Sequence, residues 1–210
     1  MAKDLNLIYK KLFANFGPQG WWPAETPFEV IVGAILTQNT SWLNVEKAIT
    51  NLKKENLLAP KKLYALPLKK LGLLIRPAGY YNIKALRLKA FLKFLFDNYR
   101  GSLKKMASLD AADLRRKLLS VKGIGCETAD SILLYAFKKP VFVIDAYTKR
   151  ILLRHKLAKA GLAYDRLQEL FMKNLKSDER LFNEYHALLV RLAKEFCVKN
   201  NPRCQICPIN

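Results

Sequence analysis

Acidic residues, cysteines, strand-like runs and long apolar stretches are all scarce in this sequence, and each scarcity closes off a class of protein. Asp and Glu number 17 against 37 Lys and Arg, a formal net charge of +20. A surplus that large points to a polyanionic partner, nucleic acid first and an anionic membrane surface second. The plain alternative is a lysine-rich solvated surface. No apolar run reaches the ~18–20 residues needed to cross a bilayer. The N-terminal MAKDLNLIYKKLF lacks the layout and cleavage site of a secretory signal, so the expected compartment is the cytoplasm. There are only four cysteines, and Cys197, Cys204 and Cys207 crowd the last fourteen residues. That clustering suits a metal or cluster site better than a disulfide framework.

Strand signals reduce to one run, Val141-Phe142-Val143-Ile144, too short and solitary to make a sheet. Helical spacing dominates elsewhere, and at 51% hydrophobic residues a folded chain is expected. The expected fold is all-α, with two interlocked helical lobes and no long linker. A first helix spans 5–16 and is broken by Gly17, Pro18 and Gly20, with Trp21-Trp22-Pro23 on a loop. Pro27 opens a helix whose Phe28, Ile31, Val32, Ile35 and Leu36 bury one face. Thr37-Gln38-Asn39-Thr40 breaks it before Trp42, and another helix follows over 43–54. After the punctuated RPAGYYN at 76–82, Leu88, Phe91, Leu92 and Leu95 mark an amphipathic helix ending near Gly101, its Lys and Arg residues forming the wet face. The final third is helical again, from 151, over 165–175 and over 183–196.

The central stretch, residues 118–150, carries the chemistry. Leu114, Leu118 and Val121 share one helix face, and Ala129, Ile132, Leu133 and Ala136 share another. Between them lies Lys122-Gly123-Ile124-Gly125. Its glycines permit positive φ and leave main-chain amides open to an anion, while Ile124 anchors the turn. Such a contact, made to a backbone phosphate, positions the protein without reading sequence. A simple helix–turn–helix corner is the competing reading. Asp145 lies twenty residues past Gly125, and one helix plus a short connector brings the chain back beside the hairpin. Asp145 also precedes a helix beginning at Ala146, where an N-cap is its ordinary role; an N-cap aspartate can still face a cleft.

The segment LLSVKGIGCETADSILLYAFKKPVFVIDAYTKRIL resembles the helix-hairpin-helix, Gly/Pro-rich loop and Asp signature of the endonuclease III superfamily of DNA glycosylases. ILTQNT, PAGYYNIKA, EYHALLVRLAKEFC and the terminal cysteines extend the resemblance over most of the chain. It implies two helical lobes with DNA across their cleft, divided here as 22–137 and 1–21 plus 138–210. It implies Lys122, Gly123, Ile124 and Gly125 as the DNA-gripping hairpin and Asp145 as the essential carboxylate. Where bifunctional members carry a catalytic Lys, this chain has Glu127, so no amine is available there for a Schiff base and a monofunctional enzyme using water is expected. Glu127 can equally be a first-turn acid favoured by the helix dipole.

An enzyme acting on a base extrudes it from the stack and needs aromatic or apolar walls for it. All three tryptophans, Trp21, Trp22 and Trp42, fall in the first fifth of the chain. With Glu127 they resemble the 3-methyladenine DNA glycosylase branch. Alkylation makes a purine cationic, and a cation between indole faces gains roughly 0.5–2 kcal/mol. By the same resemblance Gln38 fills the hole left by the base and Tyr80 wedges from the other side. Cys197-x6-Cys204-x2-Cys207 matches the first three ligands of the superfamily's 4Fe-4S loop, whose fourth would fall past Asn210. The expected substrate is an alkylated, cationic purine such as 3-methyladenine in double-stranded damaged DNA, bound by a monomer. The alternatives are an oxidised or mismatched pyrimidine, or a non-catalytic helix-hairpin-helix DNA-binding module.

Overall fold

Twelve α-helices run through residues 4–210, the part of the chain that this computed structural model describes, and no strand occurs among them. The chain folds as two units. One takes the chain as far as Pro23 and resumes over Lys139–Asn210; the other is the continuous stretch Ala24–Lys138. Helix α1 (Leu5–Phe16) belongs to the discontinuous unit. The continuous unit holds α2 (Pro27–Leu36), α3 (Trp42–Lys54), α4 (Pro60–Ala65), α5 (Leu68–Leu74), α6 (Tyr81–Tyr99), α7 (Leu103–Ala107), α8 (Ala111–Leu119) and α9 (Cys126–Ser131). The discontinuous unit then receives α10 (Ala146–Arg154), α11 (Tyr164–Asn174) and α12 (Glu179–Glu195). None of the helices is long and apolar enough to cross a membrane.

The continuous unit is built around α2. Pro27 presets the first turn, and the Thr26 hydroxyl accepts the Glu29 amide at 3.1 Å, satisfying a donor the helix cannot use itself. Every residue from Phe28 to Leu36 is buried, not one face only, because α3, α6 and the π-helical segment Ile132–Ala136 that continues α9 surround it. Even Glu29 is enclosed, and it is paired with Lys53 at 2.9 Å. In α6, Leu88, Phe91, Leu92 and Leu95 face the core as their spacing requires. Its cations do not all face water: Lys84 is only 1% exposed.

In the discontinuous unit α1 and α10 pack on α12, and the Tyr185 hydroxyl donates to the Leu5 carbonyl at 2.9 Å. Residues 141–144 are buried and belong to no helix or strand. Side chains satisfy their main chain instead: Gln168 donates to the Phe142 carbonyl at 2.6 Å, and the Ile144 amide donates to the Tyr164 hydroxyl at 3.2 Å. Phe142 stacks on Phe171 at 3.8 Å and meets the edges of Phe182 and Tyr185. The run is therefore a rigid lead into Asp145.

Candidate active site

The hairpin is a tight turn between α8 and α9. The Val121 amide donates to Leu118 and the Ile124 amide to Val121, both at 3.0 Å. Gly123 has φ +90°, and a Cβ there would lie 2.3 Å from Cγ of Arg87, so glycine is required twice over. Gly125 is different. Its backbone is extended, a Cβ would meet nothing within 4 Å, and it starts α9 without any side-chain cap. Ile124 is 5% exposed and pins the turn to the core, while Lys122 and Gly125 are exposed. Across the helix pair, Arg115 grips the fully buried Asp130 bidentately at 2.7 and 3.2 Å, which holds α8 and α9 in register.

The structure brings Gln38 to this hairpin. Its Nε2 donates to the Gly123 carbonyl at 3.0 Å and to the Thr128 hydroxyl at 2.9 Å, and Arg87 donates to its Oε1. Tyr80 stands apart from such contacts, 72% exposed and in the left-handed region at φ +46°, immediately before α6. Lys84, one turn into α6, donates to the carbonyls of Leu36 and Ala78, both at 2.8 Å. Burial pushes its ammonium down from the ordinary 10.5 to about 8, and the nearby Arg87 charge adds to the shift. Trp42 opens α3, half-buried. Glu127 lies exposed in the first turn of α9, the position its helix-dipole role requires.

In the discontinuous unit Asp145 caps α10, its Oδ1 accepting the Thr148 amide at 2.7 Å. Its Oδ2 faces Nε2 of His186 on α12 at 3.6 Å, with the two side chains 13% and 7% exposed. Burial alone would raise this carboxyl. The facing His186 charge and the hydrogen bonding at Thr148 outweigh it and hold the group below its ordinary value of 3.8. Asp145 is thus an ionised carboxylate in a mostly buried setting. Sequence reasoning missed His186, whose only signal is its place in the apolar pattern of α12. Trp21 and Trp22 lie half-buried on their loop, edge to face at 5.8 Å and 71°, with the Lys194 ammonium 6.0 Å from the Trp21 ring.

Cys197, Cys204 and Cys207 open on one cavity of about 260 Å³, shared with His155, Arg154 and Arg203. The four cysteines form no disulfide. Arg154 reaches the Cys197 sulfur at 3.4 Å and the Val198 and Lys199 carbonyls at 2.5 and 2.7 Å. Three sulfur donors on one cavity fit a sulfur-ligated cluster in donor type. Among the described residues, however, no group of three or more His, Cys, Asp or Glu is arranged ready to hold a metal ion.

Residues 32–177 match the HhH-GPD superfamily base excision DNA repair protein family. The chain belongs to this family. This HhH-GPD protein is 53% identical over 204 residues to a protein of Methanocaldococcus jannaschii described only provisionally as a DNA repair glycosylase, covering 96% of this chain and 92% of that one. It is similar to the crystal structure of the Helicobacter pylori 3-methyladenine DNA glycosylase bound to 1,N6-ethenoadenine, with a TM-score of 0.77 and 31% identity over 90% of this chain and 96% of that one. A non-covalent endonuclease III–DNA complex superposes with a TM-score of 0.84 at 21% identity, over 100% and 93% of the two chains, a likeness of fold. The HhH-GPD protein is a DNA base-excision glycosylase, and the 3-methyladenine branch is the one its likeness supports.

Proposed function

We propose that this glycosylase is monofunctional and removes alkylated, cationic purines such as 3-methyladenine from DNA by water attack at C1′. The observation that carries the reading is the Asp145 carboxylate, anchored through one oxygen and kept ionised against its own burial. A group of that kind stabilises the oxocarbenium-like sugar as the C1′–N bond breaks and its electron pair leaves with the base. The alkylated base departs neutral. Water then adds to C1′ and gives its proton to Asp145. A base already positive needs little help to leave, so the site requires few polar groups around it.

The remaining residues take roles around that step. Amides of the 122–125 turn hold a strand phosphate. Gln38 exchanges its bonds to Gly123 and Thr128 for the space vacated by the base, and Tyr80 wedges from its exposed position. Trp21, Trp22 and Trp42 supply indole faces for the cationic ring. Glu127, at the position where lyases carry an amine, argues for hydrolysis alone. Cys197, Cys204 and Cys207 would hold an iron–sulfur cluster, which when bound cross-links the loop that presents Lys199 and Arg203. Absorbance in the visible thiolate–iron band and bound iron in protein purified without oxygen check that assignment.

The experiment is excision from a panel of duplexes containing methylated purines, 1,N6-ethenoadenine, uracil or thymine glycol, each with and without borohydride. Release of methylated purines with no trapped adduct is the expected result. Release of uracil or thymine glycol alone would transfer the enzyme to pyrimidines, and a trapped adduct would end the monofunctional reading.

A further inference from the structure

We propose that Lys84 is the positioning residue that sets the spacing of the two DNA wedges, Gln38 and Tyr80. The inference rests on the wedge roles given to those two residues above. Lys84 is 1% exposed, and its ammonium bonds two carbonyls at 2.8 Å, those of Leu36 and Ala78. Leu36 ends α2, and Ala78 ends the short 3-10 turn Arg76–Ala78. Each of these carbonyls sits where a helical segment runs out of its own donors, and a cation is the natural partner there. Each also lies two residues before a wedge: Leu36 before Gln38, and Ala78 before Tyr80.

One buried cation therefore fixes the exits of both wedge-bearing loops against α6. Its cost is a desolvated charge, which a core position of α6 filled by an apolar residue would avoid. The return is geometric. One atom with three donors holds two separate backbones to a common point. The consequence falls on opening the duplex, where two wedges must enter at a set distance, and not on breaking the glycosidic bond.

The test follows opening with 2-aminopurine, whose fluorescence rises on leaving the stack, placed either opposite thymine or opposite a tetrahydrofuran abasic site. Lys84→Met is expected to slow opening of the paired duplex roughly tenfold to a hundredfold, as small misplacements do. Opposite the abasic site, where less must be pushed aside, the loss shrinks to a few-fold. In a protein already carrying Gln38→Ala and Tyr80→Ala, Lys84→Met adds nothing further, because its effect runs through the wedges. If Lys84→Met does not fold, Lys84→Gln, which keeps an N–H donor without the charge, is read in the same way.

Wedge variants that are slow beside a Lys84→Met protein that opens paired DNA like the wild type would overturn the inference and leave the wedges standing. Equal slowing on both duplexes, additive with the wedge substitutions, would reduce Lys84 to general support and also overturn it. Wedge variants that open DNA at the wild-type rate, or a wild type that never raises the fluorescence, would sink the wedge roles and the inference together.

Discussion

Two helix starts in this protein have nearly the same backbone and opposite chemistry. Gly125 precedes α9 at φ −95°, ψ −179°, and Asp145 precedes α10 at φ −93°, ψ 179°. At α10 a carboxylate folds back onto the Thr148 amide, so the helix end is satisfied from within and a negative charge is fixed in place. At α9 no side chain caps the helix, and the space where a Cβ would stand is empty. One terminus has consumed its capacity for an anion; the other keeps it for an anion from outside. The difference is a single side chain, and in the proposed function it separates holding a strand from acting on its sugar.

Asp145→Asn breaks the comparison on its charged side. Asparagine caps as well as aspartate, so the thermal unfolding midpoint should stay close to that of the wild type. Excision in single-turnover assays should fall by roughly 10²–10³-fold, the scale for removing one electrostatic stabiliser. Full-rate excision by this variant would remove Asp145 from the chemistry.

Gly125→Asp breaks it on the other side by giving α9 the cap that α10 has. The extended backbone accepts any residue and nothing obstructs the new side chain. Stability should rise by a few tenths of a kcal/mol. Affinity for undamaged duplex should drop roughly tenfold or more, since a charge-assisted hydrogen bond to phosphate is lost and a like charge takes its place. Fluorescence anisotropy titrations at fixed salt read the change. Unaltered affinity would mean that these amides hold no phosphate.

His186→Asn sharpens the comparison with a smaller effect. In the wild type the carboxyl sits below 3.8, so it is ionised throughout the neutral range and its acid limb lies below that value. Its contribution to stability is likewise present above the unfolded value and lost as pH falls through the lower folded one. Without the facing imidazole, burial prevails and the group is pushed upward. The variant should therefore begin to lose excision at a higher pH than the wild type on acidification, while losing only a few-fold at pH 7.5. A pH–rate profile that superposes on that of the wild type would show that His186 does not hold Asp145 ionised.

Much of this was legible in the chain itself. Thr26 and Pro27 announce α2, and Asp145 announces α10, because capping is local chemistry that one or two residues decide. The 141–144 run was legible as β-like and too solitary for a sheet. Its real partners, Gln168 and Tyr164, lie twenty or more residues ahead and follow no periodicity. Lys84 was hidden for a related reason. A lysine on an amphipathic helix is ordinarily solvated, and only the return of two distant carbonyls to one point makes it a core residue. The docked state of Gln38 was hidden too, since it depends on Arg87 and Thr128 as much as on the hairpin. Residues that act through neighbours close in sequence could be read; those assembled from several segments could not.

The continuous unit interrupts the discontinuous one, and this orders events on the ribosome. Everything from Ala24 to Lys138 is complete before α10 has been synthesised, so the hairpin can be finished early. Helix α1 must wait for Tyr185 to supply the donor for its Leu5 carbonyl, and Asp145 must wait for His186. On the roles proposed for them, the strand-holding turn of a nascent chain is therefore in place well before Asp145 gains its partner.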